Sequence, residues 1–159
     1  FGAVYRARHR VTQELVAVKR VFYGGQRGTE RWREAVREAT LLRRLRHPNT
    51  LQLRGCYVWG SSAWLVMEFC LCSAADLLGV PLLEPEVAAI VHGALRGLEH
   101  LHRGGAIHRD VKAANILLSP PDWVKLGDFG SASSSSPANS LDGPGGDPGH
   151  GRGAVRRPG

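Results

Sequence analysis

The chain has 159 residues, of which 43% are hydrophobic, so it is long and apolar enough for one domain with a buried core. It contains no run of apolar residues long enough to span a membrane. It opens with neither Met nor a secretory signal, as a piece of a longer sequence would. The net charge of +7 raises nucleic acid as a partner, but the basic residues are scattered without interleaved aromatic residues, so nucleic-acid binding is not expected.

The first half of the chain predicts strands and one helix. Leu15–Phe22 is rich in β-branched residues and predicts a strand in which Ala17 and Lys19 share one face. Residues 30–45 predict an amphipathic helix that ends before the HPN sequence at 47–49. Glu38 lies at the edge of its apolar stripe, and two more strands are predicted at 50–58 and 63–69. The stripe comprises Trp32, Ala35, Val36, Ala39, Leu42 and Leu45.

The next part of the chain predicts a long helix and a hairpin. Residues 84–102 form an amphipathic helix with Pro85 in its first turn. Two apolar runs at 116–118 and 123–126 flank an SPPD turn and predict a β-hairpin. We therefore expect an α+β fold of two unlike subdomains. The apolar stripe of the helix comprises Val87, Ile90, Val91, Ala94, Leu98 and Leu101.

The composition changes after Gly130, because residues 131–159 are rich in Gly, Pro and Ser and nearly devoid of large apolar side chains. Such a segment buries too little surface to offset the entropy lost on ordering, so we expect a disordered tail.

The residues that indicate chemistry lie between 107 and 130. The sequence reads IHRDVKAANILL at 107–118 and DFG at 128–130, and VAVK stands within the first predicted strand. HRD or DFG alone is a weak signal, but the spacing of Asp110, Lys112, Asn115 and Asp128 makes the combination strong. The chain resembles the eukaryotic protein kinase family.

A closer resemblance, to the TAO (thousand-and-one amino acid) kinases of the sterile-20-like branch, rests on RHPNTLQLRGCY, AWLVMEFC, HGALRGL, DVKAANILL and KLGDFGSAS followed by PANS. It implies a kinase-like α+β fold: a β-rich N-lobe at about 1–69 with one regulatory helix, a hinge at about 68–75, and the incomplete start of a helical C-lobe at 76–140. Residues 141–159 lie outside this partial kinase domain. The resemblance implies ATP-dependent phosphorylation of protein Ser or Thr, with MAP kinase kinases as substrates in MAP kinase signalling.

The resemblance assigns a role to each polar residue of the site. Asp110 accepts the proton of the substrate hydroxyl, and Lys112, which is typical of serine/threonine kinases, neutralises the transferring phosphate. Asn115 and Asp128 offer the hard oxygen ligands that Mg²⁺ prefers. Lys19 holds the α- and β-phosphates of ATP and needs an acidic partner. Glu38 is favoured for that place, with Glu34 as its competitor.

The remaining residues assigned by resemblance surround the adenine and the ribose. For the apolar ones, packing in an ordinary core is the alternative. Asp76 either bonds the ribose or caps a helix that begins at Leu77. The adenine set comprises Val4 above the ring, Ala17 beside it, Leu117 below it, Met67 as gatekeeper, and the hinge from Glu68 to Cys70.

The cysteines and histidines indicate neither a disulfide framework nor a zinc site. Three cysteines are too few and odd in number for a disulfide framework, which favours a reducing, cytoplasmic location. Cys70 and Cys72, like His100 and His102, lack the spacing of a zinc site, and His108 is expected to support the catalytic loop from the core.

The kinase pattern is also incomplete. Gly2 and Val4 are the remainder of the glycine-rich loop, and Ser140 matches the serine whose phosphorylation activates TAO-type kinases. No APE sequence follows. A catalytically inactive ATP-binding or decoy fragment is therefore the alternative function. The oligomeric state and the physiological substrate stay open.

Overall fold

The structure is a computed structural model that describes residues 3–119 and 123–134. Its first half is a four-stranded antiparallel sheet with one helix. The strands follow the order β1-β2-β4-β3, so that β2 lies inside the sheet between β1 and β4. The elements are β1 (Ala3–Arg8), β2 (Leu15–Phe22), α1 (Gly28–Arg44), β3 (Leu53–Trp59) and β4 (Ser62–Glu68).

The second half contains one long helix and several short strands. Strands β5, β7 and β8 form an antiparallel sheet, and β6 pairs with β9. Three short 3₁₀ helices connect these elements, at Ala74–Leu77, Ala113–Asn115 and Phe129–Ser131. The elements are β5 (Cys72–Ser73), α2 (Glu84–Arg103), β6 (Ala106–Ile107), β7 (Ile116–Ser119), β8 (Trp123–Leu126) and β9 (Ser133–Ser134).

The α+β architecture predicted from the sequence is confirmed. Strand β2 has the predicted bounds, and the predicted hairpin is formed by β7 and β8. Strand β1 was not predicted, because its six residues AVYRAR include two arginines and give a weak apolar pattern. It is held by its pairing with β2 along its whole length.

Helix α1 is rotated relative to the predicted apolar stripe. Ala35, Glu38 and Leu42 are buried, whereas Trp32 and Val36 are 36% and 44% exposed. The spacing of the buried residues places a carboxylate in the middle of the face that contacts the sheet. Trp32 instead packs edge-on against Tyr23, with 5.0 Å between the ring centroids.

The hydrophobic core is continuous across both halves of the chain. Leu42 and Leu65 from the first half join Leu101, Leu126 and Phe129 from the second, and each is at most 1% exposed. Backbone hydrogen bonds reinforce this junction, because the amide of Leu51 donates to the carbonyl of Leu126 over 2.9 Å. The two halves therefore share one core.

Helix α2 approaches strand β8 through glycines. A Cβ on Gly93 would lie 2.5 Å from Cβ of Val124, and one on Gly97 would overlap the carbonyl oxygen of Asn49. The predicted stripe is therefore only partly correct: Ala94 and Leu101 are buried, whereas Val87 and Val91 are 41% and 50% exposed. Hydropathy could not identify the glycines as contact residues, since they carry no side chain.

No helix within the described residues is long and apolar enough to cross a membrane.

The close approach at Gly97 predicts that Gly97→Ala destabilises the fold. The added methyl group would meet the Asn49 carbonyl and Cβ of Leu126, so α2 would have to move away from β8. We expect the free energy of unfolding, measured by urea titration, to fall by about 2 kcal/mol. The matched control is Gly79→Ala, because no atom lies within 4 Å of a Cβ at that position. Equal stabilities of the two variants would contradict the prediction.

Candidate active site

A cavity of about 1100 Å³ separates the four-stranded sheet from the second half of the chain. Twelve of the thirteen site residues predicted within the described ranges line it. Lys112 does not line the cavity, but its Nζ lies 2.8 Å from Oδ2 of Asp110, which does. The predicted site residues that line it are Val4, Ala17, Lys19, Glu38, Met67, Glu68, Cys70, Asp76, Asp110, Asn115, Leu117 and Asp128.

Lys19 joins strand β2 to helix α1. Its Nζ donates to both carboxylate oxygens of Glu38, over 2.7 and 2.9 Å, and lies 3.4 Å from Oδ1 of Asp128. The Glu38 side chain is 4% exposed and that of Lys19 is 19% exposed. Glu34, the competing partner, is exposed to solvent, and the hydrogen bonds of Lys19 go to Glu38 and Asp128 instead. The structure thus places Glu38 beside Lys19.

Burial and charge act on this pair in opposite directions. Burial is the largest influence on Glu38 and raises its pKa, although Lys19 opposes the change. Burial alone would lower the pKa of Lys19, but the carboxylates of Glu38 and Asp128 outweigh it and raise that pKa. Lys19 is therefore a firmly charged ammonium group at the wall of the cavity.

Asp110 is held by two neighbours in its own loop. Nζ of Lys112 lies 2.8 Å from Oδ2 of Asp110, and Nδ2 of Asn115 donates to the same oxygen over 3.1 Å. Asn115 also donates to the backbone carbonyl of Asp110 over 2.8 Å. The hydrogen bond from Lys112 is the main cause that lowers the pKa of Asp110, so this carboxylate is ionised at neutral pH.

His108 links the loop of Asp110 to the turn before Asp128. The imidazole is 1% exposed, and its Nε2 lies 2.8 Å from the carbonyl oxygen of Gly127. Its Nδ1 lies 3.3 Å from the amide of Asp110. Since Nε2 faces an acceptor and Nδ1 faces a donor, the geometry assigns the neutral tautomer with the proton on Nε2. Gly127 also donates its amide to the carbonyl of Asn115 over 2.9 Å, so both loops meet at this residue.

The backbone is left-handed at two residues of the site. Asp128 has φ 56° and Arg109 has φ 66°, a region that non-glycine residues seldom adopt. Phe129, which follows Asp128, is 1% exposed and packs beside His108 and in the core. Nε of Arg109 donates to the carbonyl of Ser131 over 2.6 Å. Buried Phe129 therefore fixes the turn that presents Asp128 to the cavity.

Apolar side chains line one part of the cavity. Ala17 on β2 is directly paired with Met67 on β4, and Met67 is 4% exposed. Val4 on β1 is paired with Lys19 and is 61% exposed. Leu117 on β7 lies on the opposite side of the cleft from the sheet. This end of the cavity can receive a flat apolar group.

The segment between β4 and β5 closes one side of the cavity. Glu68 ends β4, and its Oε1 lies 3.0 Å from Nζ of Lys125. The amide of Leu71 donates to the carbonyl of Leu118 over 2.8 Å. Burial, reinforced by the Glu68 charge, raises the pKa of the Cys70 thiol to about 11, so this thiol stays protonated.

The protein kinase domain family matches residues 1–149 of this sequence. The chain belongs to the protein kinase family. Serine/threonine-protein kinase TAO2 of Homo sapiens and that of Rattus norvegicus are each 58% identical to it over 146 residues, which cover 90% of this chain and 12% of each relative. Serine/threonine-protein kinase TAO3 of Xenopus laevis is 56% identical over 146 residues, or 90% of this chain and 16% of the relative. The kinase chain thus spans less than a fifth of the length of these relatives.

The family prediction is confirmed, and protein kinases in general use ATP and Mg²⁺. The donor set of this kinase fits such a metal, because the carboxylate of Asp128 and the amide of Asn115 both line the cavity and offer hard oxygens. Among the residues that the structure describes, no group of three or more His, Cys, Asp or Glu side chains is placed to hold a metal ion.

The predicted start of the helix near Asp76 is wrong by three residues. The short helix begins at Ala74 and not at Leu77, and Asp76 occupies its third position. Oδ2 of Asp76 accepts from both the amide and the hydroxyl of Ser73, each over 2.7 Å, which forms a capping box. The Ser73 amide lowers the pKa of Asp76. Asp76 also lines the cavity, so a ribose contact stays a prediction.

Two parts of the kinase chain carry predictions that lie outside the described residues. Ser140, the candidate regulatory serine, and the expected disordered segment from residue 135 onward, including 141–159, are both among them. The prediction of disorder from residue 131 is wrong for 131–134, because Ser133–Ser134 pairs with Ala106–Ile107 and Ala132 is fully buried.

Sequence reasoning also missed Lys125, which is 7% exposed inside β8. A charged residue within the apolar run WVKL was the available signal, since a buried lysine needs a partner.

The buried Glu38 carboxylate predicts a pH-dependent loss of stability in Lys19→Met. Without Lys19, burial raises the Glu38 pKa further, and a carboxyl whose folded-state pKa is raised destabilises the fold as pH rises through that value. We expect the free energy of unfolding to fall by about 3 kcal/mol at about pH 8 and by clearly less at about pH 5. Glu38→Gln is the control, because it removes the buried charge and should show no such difference. The same loss at both pH values in Lys19→Met would contradict this prediction.

Proposed function

We propose that the protein is an ATP-dependent serine/threonine kinase of the TAO type. The observation that carries the proposal is the arrangement of Lys19, Asp110, Asn115 and Asp128 around one cavity. These residues are far apart in the sequence, and phosphoryl transfer requires groups of these types at one place. The similarity to TAO2 and TAO3 supports the serine/threonine class, as does Lys112 two positions after Asp110.

Asp110 is proposed to receive and orient the substrate hydroxyl. Its lowered pKa keeps it an anion, and an anion accepts a hydrogen bond from a hydroxyl. Asn115 and Lys112 hold this carboxylate through Oδ2, which restricts its rotation. Asp110 therefore acts mainly by aligning the hydroxyl oxygen, and it accepts the proton as that oxygen loses it.

Positive charge on both sides of the cavity is proposed to hold the phosphates. Lys19 is fixed by Glu38 at the sheet side, and Lys112 stands beside Asp110 at the opposite side. Asn115 and Asp128 would hold Mg²⁺, which when bound neutralises phosphate charge. His108 and Gly127 keep the Asp110 and Asp128 loops in register through their hydrogen bonds.

The nucleotide base is proposed to occupy the apolar end of the cavity. Ala17 leaves room for a flat ring between β2 and Leu117, with Met67 at the back and Val4 above. The backbone of the hinge from Glu68 to Cys70 would pair with the edge of the base. This assignment is the one implied by the family resemblance.

The cellular role is proposed from similarity alone. MAP kinase kinases as substrates, a place in MAP kinase signalling and a cytoplasmic location belong to this proposal, as do the domain bounds of 1–140 with an N-lobe at 1–69. The three cysteines within the described residues are unpaired, which agrees with a reducing compartment. The inactive ATP-binding alternative has no observation in its favour among the described residues, because Asp110, Asn115 and Asp128 all line the cavity.

The proposal predicts that Asp110→Asn abolishes transfer while leaving nucleotide binding intact. The amide keeps the shape of the side chain but cannot accept the proton, so we expect the rate of phosphate transfer from Mg-ATP to a generic basic protein to fall by about 10²–10⁴-fold. Binding of a fluorescent ATP analogue should change by about threefold or less, since Asp110 is proposed to contact the hydroxyl and not the base.

The control for this measurement is Glu99→Gln, which alters an exposed ion pair with Arg103 on the outer surface of α2 and should transfer phosphate at the parental rate. Equal transfer by the parent and Asp110→Asn would refute the kinase proposal. Analogue binding without transfer by the parent protein would favour the inactive alternative.

A further inference from the structure

A buried ion pair includes Glu68, the first residue of the hinge. Nζ of Lys125 on β8 is 3.0 Å from Oε1 of Glu68 at the end of β4, and the two side chains are 9% and 13% exposed. Most ion pairs between charged side chains are exposed, and taking two charges out of water carries a desolvation cost. A buried ion pair is favourable only when further hydrogen bonds satisfy both charged groups, and both Glu68 and Lys125 have such bonds.

Glu68 has a second contact on the same oxygen. The amide of Gln52 donates to Oε1 of Glu68 over 2.7 Å, and the amide of Glu68 donates to the carbonyl of Gln52 over 3.0 Å. Gln52 thus holds both the backbone and the side chain of Glu68. The orientation of Glu68 is fixed from the side of the sheet.

Lys125 is also fixed twice. Besides Glu68, its Nζ donates to the carbonyl of Pro48 over 2.9 Å. The neighbouring Asn49 donates through Nδ2 to the carbonyl of Val124 over 2.9 Å, next to Lys125 in the chain. The ammonium group is therefore enclosed by one carboxylate and one carbonyl, and β8 is anchored to the HPN loop at this level.

The pair joins two segments that border the nucleotide cavity. Glu68 immediately precedes Phe69 and Cys70, and Lys125 stands three residues before Asp128 on the strand that leads to it. We propose that Glu68 and Lys125 are positioning residues that hold the hinge and the Asp128 turn at a fixed separation, and so set the affinity for the nucleotide. This inference rests on the proposed function, because it takes the cavity as the ATP site.

A purely stabilising role is the competing explanation, and it makes a different prediction. If the pair only stabilised the fold, its loss would lower the free energy of unfolding and leave the affinity of the folded protein unchanged. If the pair positions the hinge, the folded protein itself would bind nucleotide less well. The Michaelis constant for ATP would then rise more than kcat falls, because Asp110 and Lys112 do not contact the pair.

The test is a double-mutant cycle on Lys125→Met and Glu68→Gln in the protein that carries this sequence. The dissociation constant of a fluorescent ATP analogue is measured well below each variant's unfolding midpoint. Lys125→Met leaves Glu68 charged, buried and without its cation, so we expect affinity to fall about tenfold. The double variant lacks the same pair but leaves no charge unpaired, so its loss of affinity should be well below the sum of the two single losses on a logarithmic scale.

The matched control is Arg54→Met, which removes an exposed ion pair with Glu14 and should change the affinity by less than about twofold. Should Lys125→Met fail to fold, Glu68→Asp replaces it, because the shorter side chain keeps the charge but cannot reach both Gln52 and Lys125. That variant is expected to lose affinity in the same direction.

The outcomes separate this inference from the proposed function. Unchanged affinity in folded Lys125→Met or Glu68→Asp overturns the positioning role. A loss in the double variant equal to the sum of the two single losses also overturns it, because the two side chains would then act independently. Absence of analogue binding by the parent protein overturns the proposed function itself, and the inference with it. Parental binding that is lost in Lys19→Ala, together with non-additive losses in the Glu68–Lys125 cycle, supports both.

Discussion

The arrangement of the site depends on a single electrostatic constraint, the need of the buried Glu38 carboxylate for a cation. An ionised carboxylate that is 4% exposed is tolerated only beside a positive charge, and Lys19 supplies it from the neighbouring strand. Because Lys19 is anchored in the inner strand of the sheet, this requirement fixes helix α1 against β2. The helix in turn packs against the Phe129 turn, and so the position of Asp128 follows from a contact on the other side of the cleft.

A second constraint acts through Gly127, where two loops are joined by backbone groups. Its carbonyl faces the His108 imidazole, and its amide bonds the carbonyl of Asn115. The loop of Asp110 and the turn of Asp128 are thus both held to the backbone of one residue, Gly127. Such a connection uses backbone atoms and a buried neutral histidine, so its strength does not depend on exposed charges that salt would screen.

The sequence allowed the elements and the polar site to be predicted because both leave local signals. Strand β2 follows from its β-branched residues, and Asp110, Asn115 and Asp128 follow from their spacing. Contacts that depend on tertiary packing were beyond such signals: the exposure of Trp32 and Val36, the close approach at Gly97, and the pairing of Lys125 with Glu68. The start of the short helix was also missed: it begins at Ala74 and not at Leu77, because Asp76 forms a capping box with Ser73.

The left-handed backbone at Arg109 and Asp128 has an energetic consequence for the chain as a whole. A residue with a Cβ pays roughly 1–2 kcal/mol to occupy that region, and glycine does not. Selection for thermal stability alone would thus favour glycine at both positions. Glycine at 128 would remove a carboxylate that lines the cavity, and glycine at 109 would remove the hydrogen bond to the Ser131 carbonyl. A gain in the thermal stability of this protein must be sought elsewhere in the chain, because at these two positions a relaxed backbone and the present side-chain contacts are mutually exclusive.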